Sequence, residues 1–227
     1  MSYIVVKIKE KISYSDGLEL QHKVYDFVSN NVYDGVLLIL EHKHVLSMGI
    51  RSNFDNLLVS KELLKEKNVE FYETDRGGDI TYHGPGQIVA YPIFKLKELK
   101  LRLSDYMHNL EKVVIDTLST HNLKAYQRDD YPGVWIDNTK ICAIGVRARK
   151  YITYHGLAYN VTTDKSYFNL INPCGITDFR VSSLEDFIDE TDIEKEKNQI
   201  IKSFTNIFGH GFQEVSLNEL FETSKKV

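Results

Sequence analysis

Several kinds of residue and pattern are scarce in this chain of 227 residues, and each scarcity excludes something. Only two cysteines occur, Cys142 and Cys174. That is too few in too long a chain for a disulfide framework, and no CxxC spacing offers a zinc site. Four prolines leave no Pro-rich linker, and neither a low-complexity tract nor an internal repeat divides the sequence. No run approaches the about 18 apolar residues of a membrane span. The N-terminal "MSYIVVKIKEK" sets its lysines after a short apolar run, the reverse of a secretory signal. Lys and Arg number 28 against 32 Asp and Glu, a formal charge of -4, so no global basic field gathers nucleic acid. A cytoplasmic protein with neither nucleic-acid nor membrane partners is expected. Its length is ample for a core, since a chain of this size buries roughly 70–75% of its unfolded surface.

The apolar pattern then marks out elements. Ser15 is positioned to cap a helix from Asp16 to about Tyr33, with Leu20, Val24, Phe27, Val28 and Val32 on one face and Gly35 ending it. "VLLILE" (36–41) has the length and continuity of a strand buried on both faces. Ser60 caps a short helix to Lys67, and "VEFYET" (69–74) alternates as a strand does. Ser104 opens a helix to about Asn122. "GVWID", "KICAIGVRA" and "YITYHGLAYNV" follow as a three-strand meander turning at Asp137-Asn138. Asp192 to Phe208 is an amphipathic helix stopped by Gly209. The simplest reading is one α/β (α+β) domain over residues 1–227, with a mixed, largely antiparallel sheet flanked by helices.

Four of the 13 glycines, Gly77, Gly78, Gly84 and Gly86, fall within ten residues of "DRGGDITYHGPGQIVAYPIF". Two plain hairpin turns would explain an isolated Gly-Gly or Gly-Pro-Gly. Arg76, His83 and Gln87 stand beside both corners, however, and polar side chains at loop ends on a rigid scaffold are where binding residues concentrate. Neither the P-loop pattern nor G-x-G-x-x-G is present.

Cys174 sits in "NLINPCGITD", between Pro173 and Gly175, where a thiol is presented with little side chain beside it. The competing reading is a buried structural cysteine. Strict alternation along "KICAIGV" would put Lys140, Cys142 and Ile144 on one face, with Ile141, Ala143 and Gly145 on the other. Cys142, between apolar neighbours, reads as core packing. Lys140 begins an otherwise apolar strand, and a nearby ammonium or base lowers the cost of forming a thiolate.

Four separate blocks carry a resemblance. "LLILEHKHVLSMGIRS", "RGGDITYHGPGQIVAYPI", "GVWIDNTKICAIGVRARKYITYHGLAYNV" and "INPCGI" resemble the lipoyl(octanoyl) transferases, which start protein lipoylation, over about residues 36–176. The resemblance implies the biotin/lipoate ligase-like fold and transfer of an octanoyl group by a thiol mechanism, with no ATP, other cofactor or metal. Octanoyl-acyl carrier protein would be the donor. Lipoyl domains of 2-oxoacid dehydrogenases and the glycine-cleavage H protein would be the acceptors. Cys174 would be the acyl-accepting nucleophile and Lys140 the lysine that lowers its pKa and moves protons. Arg76, Gly77, Gly78, Asp79, Ile80, Thr81, Tyr82 and His83, with Ala143, Ile144, Gly145, Gly156, Leu157 and Ala158, would line the acyl site. The glycines would then let backbone approach an acyl chain, and N–H groups near Gly77, Gly78 and Gly145 would be oxyanion donors. His83 reads as site-lining rather than as a base.

The chain departs from the family pattern with Lys43-His44 where Pro-Pro is frequent, Ile50 where a basic residue is frequent and Cys142 where alanine is usual. Arg147, Arg149 and Lys150 are one option for docking an acidic carrier. Three other readings stand beside the main one: an ATP-dependent lipoate- or biotin-protein ligase, an amidotransferase between lipoyl domains, and a non-catalytic carrier-binding or metal-binding module.

Overall fold

The computed structural model describes residues 3–172 and 180–224. In chain order the elements are β1 (Tyr3–Lys7), α1 (Tyr14–Ser29), β2 (Gly35–Leu40), β3 (Val45–Met48), α2 (Lys61–Glu66), β4 (Glu70–Glu73), β5 (Thr81–His83), β6 (Gln87–Phe94) and α3 (Leu103–Ser119). They continue with β7 (Tyr126–Gln127), β8 (Gly133–Ile136), β9 (Thr139–Arg149), β10 (Ile152–Asn160), β11 (Arg180–Val181), α4 (Ile193–Phe208), β12 (Gln213–Glu214) and α5 (Leu217–Ser224).

A nine-stranded sheet runs β12-β1-β2-β6-β10-β9-β8-β7, with β11 pairing onto β9. β1 is parallel to β2 and β12, and β11 is parallel to β9; the other pairs are antiparallel. The mixed sheet with flanking helices and the β8–β10 meander therefore stand as the sequence implied. A second sheet of three strands, β4-β3-β5, lies apart from it.

Period-two alternation sorts the large sheet's side chains to two cores. Tyr3, Val5, Leu37, Ile39, Val134, Ile136 and Tyr159 meet α3 and α4 through Leu110, Val114, Phe204 and Phe208. Ile4, Val6, Val36, Leu38, Tyr91 and Ile93 meet Leu20, Val24 and Val28 of α1 and Leu220 of α5. Every residue of β2 is buried, as a strand covered on both faces requires. A third core, with Leu46, Ile80 and Tyr82, belongs to the small sheet.

Boundaries differ where a cap decides them. Ser13, not Ser15, caps α1, its hydroxyl accepting from the Asp16 N–H at 3.1 Å. The helix stops at Ser29 rather than near Tyr33, because Asn31 turns to φ 60°; Gly35 is the first residue of β2. α3 opens at Leu103, one residue before the serine expected to start it, and ends before Asn122, which also takes a positive φ. Ser60 and Asp192 do cap their helices, and Gly209 closes α4 in the left-handed region.

Candidate functional site

Over β9 and β10 of the large sheet, beside the loop after β4, lies a cavity of about 800 Å³. Its floor is thin: Gly145 pairs with Gly156 and Ala143 with Ala158 across the two strands, and all four line the cavity. The loop after β4 packs on this floor backbone to backbone. The Gly77 N–H donates to the Val146 carbonyl at 3.1 Å. A Cβ at Gly145 would stand 2.8 Å from the Gly77 carbonyl oxygen. These glycines thus serve first to let two chain segments meet, not to admit a ligand. The Gly77 N–H is also spent on that contact, which removes it from the expected oxyanion donors.

Lys140 reaches the cavity by a route that strict alternation does not give. Val134 pairs with Cys142 while the next residue, Trp135, pairs with Lys140, so Ile141 is an extra residue on β9. This bulge shifts the phase of the strand. Ile141 and Cys142 both enter the apolar core under α3, and Lys140 joins Ala143 on the cavity side. The expected grouping of Lys140 with Cys142 on one face is therefore corrected. Cys142 is a buried free thiol whose pKa is pushed up by burial, as core packing implies.

The deeper end of the cavity is polar. Arg76 is 6% exposed and commits its guanidinium to neutral acceptors: the Ser47 carbonyl (2.5 Å), the Ser47 hydroxyl (3.0 Å from NH2, 3.2 Å from Nε) and its neighbour's carbonyl at Gly77 (3.1 Å). Burial lowers its pKa, yet a guanidinium keeps its proton. It is a fixed positive charge in a dry place, suited to partial negative charge on a bound group.

His83 lines the same end. The Gln87 amide donates to Asn160 Oδ1 (2.9 Å) and to the Tyr82 carbonyl (3.3 Å), which leaves Gln87 Oε1 to accept from His83 Nδ1–H at 2.8 Å. Burial, then the positive field of its neighbours, holds His83 well below the ordinary histidine pKa. It is a neutral ring in a fixed tautomer.

His155, 1% exposed, donates from Nε2 to Asp75 Oδ1 at 3.0 Å, and its own N–H is taken by the buried Gln21 Oε1 of α1 at 2.7 Å. Asp75 also accepts from the Tyr154 hydroxyl and faces Arg147 Nε at 3.7 Å. Foremost the His155 bond, and then those neighbours, keep its carboxyl well below the usual range.

Set against the sequence, thirteen of the fourteen positions expected at an acyl site line one cavity together with Lys140. Tyr82 does not: alternation along the short β5 turns it into the small sheet's core, where it stacks on Tyr167 at 4.9 Å and bonds His44 Nδ1 at 2.8 Å. Cys174 lies outside the described residues. The described chain on either side of it is tied to the cavity wall. Asn172 N–H donates to the Asn56 carbonyl at 2.8 Å, and Val181 pairs with Lys140. The expected basic patch splits, because Arg147 turns to Asp75 at the cavity while Arg149 and Lys150 lie beside His22 and Tyr25 of α1.

A sequence model for the lipoyl protein ligase A/B catalytic domain matches residues 13–205. This chain belongs to that family. It is 44% identical over 210 residues to the octanoyltransferase of Thermoanaerobacter sp. (strain X514), covering 92% of each chain. To the octanoyltransferase of Clostridium kluyveri it is 42% identical over 221 residues, 97% of this chain and 95% of that one. Its fold is that of protein Ta0514 from T. acidophilum, solved with bound lipoic acid, with a TM-score of 0.80 at 14% identity over 100% of this chain and 94% of that one.

In this member of the lipoyl protein ligase A/B family, residue-by-residue reading missed Tyr14, Tyr91, Asn56 and Asn160, all of which line the cavity. Tyr91 carries no signal of its own, since it sits in an apolar run that serves packing as well, and Tyr14 stands ahead of the expected helix among serines. Asp75 had one: it directly precedes Arg76, a carboxylate against the two-glycine corner.

Proposed function

We propose that residues 1–227 form one catalytic unit that carries an octanoyl group from octanoyl-acyl carrier protein, through a thioester on Cys174, to a lysine of a lipoyl domain in the cytoplasm. The protein is an acyltransferase of protein lipoylation, as its octanoyltransferase relatives at 42–44% identity are named. The observation that carries the chemistry is Lys140, brought by the β9 bulge into a cavity floored by alanine and glycine, with the strand after "NPCG" paired to it.

In the first step the Cys174 thiolate attacks the thioester carbonyl. A C–S bond forms to the enzyme, the C–S bond to the carrier breaks, and the departing thiolate takes a proton from the Lys140 ammonium. In the second step the neutral amine of the acceptor lysine attacks the acyl-enzyme. A C–N bond forms, the enzyme C–S bond breaks, and the surplus amine proton returns to Lys140, regenerating the thiolate–ammonium pair. The balance is one thioester and one amine in, one amide and one thiol out. Arg76 lies at the polar end of the cavity, available to partial negative charge in both steps. Arg76 to Thr81, His83, Ala143 to Gly145 and Gly156 to Ala158 form the acyl-binding wall.

The test is intact-protein mass after mixing with octanoyl-acyl carrier protein. Wild type should gain one octanoyl group, released by hydroxylamine or by a lipoyl domain, and Cys174→Ser should gain none. A wild type that stays unmodified and acylates the lipoyl domain only with ATP would overturn the thioester route in favour of a ligase.

A further inference from the structure

The backbone beneath Lys140 has a feature that neither acyl binding nor core packing accounts for. β8 alternates cleanly, with Val134 and Ile136 in the apolar core, so Gly133 and Trp135 face the other way. Lys140 crosses β8 on that face. Its Nζ lies 5.5 Å from the centroid of the Trp135 ring, within cation–π range. Gly133 lies directly under the arm: a Cβ built there would stand 2.3 Å from Lys140 Cε, 3.1 Å from its Nζ and 2.4 Å from the Cys142 carbonyl oxygen. Gly133 also adopts φ 136°, a conformation that residues with a Cβ rarely take.

The glycine is itself anchored from α3. Glu111, 3% exposed, accepts the Gly133 N–H on Oε1 at 2.9 Å, and its Oε2 faces His108 Nδ1 at 3.0 Å. A buried carboxylate that spends an oxygen on one backbone N–H fixes the height of that strand end.

We infer that Gly133 is a positioning residue for the transfer reaction: the space above its Cα, held in place by Glu111, is the passage through which Lys140 reaches the cavity. The inference rests on the Cys174–Lys140 reading above. Any side chain at 133 pushes the Lys140 methylenes off the strand, and the ammonium loses the place in the cavity from which that reading has it act.

The readout is the pH dependence of Cys174 alkylation by iodoacetamide, followed by peptide mass in the full chain, beside acyl-transfer kinetics. Lys140→Met should move the alkylation profile to higher pH. Gly133→Ala should move it the same way and lower kcat by 10-fold or more, with less than a threefold change in KM for the donor. In a Lys140→Met background Gly133→Ala should add less than threefold. A Gly133→Ala loss of equal size in both backgrounds would mean a merely structural glycine and overturn the inference.

Should Gly133→Ala not fold, the anchor supplies the same test. Glu111→Gln keeps an acceptor for the Gly133 N–H and Glu111→Ala withdraws it, so the alanine variant should shift the profile further than the glutamine variant. Identical profiles would count against the inference. If Lys140→Met leaves the Cys174 profile in place, the thioester reading falls and this inference with it; if Lys140→Met shifts it and neither Gly133→Ala nor Glu111→Ala does, only the inference falls.

Discussion

One face of the large sheet is built in two ways. Under α1 it carries Val36, Leu38, Tyr91 and Ile93, which meet Leu20, Val24 and Val28 of the helix and leave no exposed surface at Leu38. On β9 and the facing part of β10 it carries Ala143, Gly145, Gly156 and Ala158, and a cavity of about 800 Å³ stands over them. The strands stay paired through both halves. Side-chain size sets the contrast, because large side chains fill the space that glycine and alanine leave, and a close-packed interior tolerates neither a gap nor an excess.

That contrast can be broken from either side. Leu38→Ala opens a hole in the packed half, and urea unfolding should show a loss of about 2–5 kcal/mol. A loss below 1 kcal/mol would mean that the packed half collapses as easily as the open one. Ala143→Leu fills the open half instead. Stability should hold, while kcat/KM for octanoyl donors falls relative to hexanoyl donors, a discrimination of about 1–3 kcal/mol at the transition state. An unchanged ratio would place the acyl tail elsewhere.

The smallest effect comes from titration, and it sharpens the contrast because His83 and His155 line the cavity, with His42 beside them. All three are held below their ordinary pKa, first by burial, and His42 falls to about 4. The unfolded chain binds protons near pH 6.5 that the folded chain refuses. Stability is therefore full above that pH and is lost as the pH falls toward each folded value, by at most about 1.4 kcal/mol per pH unit for each histidine. The urea midpoint should drop between pH 7 and pH 5.5; equal midpoints would show that these rings ionise without cost.

Much of this molecule was legible in the sequence where one pattern had one structural solution. "GVWID", "KICAIGVRA" and "YITYHGLAYNV" became β8, β9 and β10, because three short apolar runs with tight turns between them can only be a meander. Asp192 and Gly209 bounded α4 because capping chemistry is local. What escaped was non-local. β12 forms a strand only by pairing with β1 across nearly the whole chain. Tyr82 stands inside a motif rich in cavity-facing residues, yet it faces away, because β5 alternates and the small sheet takes one side of it.

The sequence by itself determined the mixed α/β architecture and, through its motif blocks, the family. The architecture follows from the period of apolar residues along the chain, and the family from the resemblance of its motif blocks. Only tertiary structure decided which of its residues meet. The Ile141 bulge puts Lys140 beside Ala143 and sends Cys142 to the core, and the Gly77–Gly145 contact brings Arg76 over β9. A bulge is one unpaired residue set by the partner strand, and a backbone-to-backbone contact needs two segments about 70 residues apart, so neither leaves a periodic trace in the sequence.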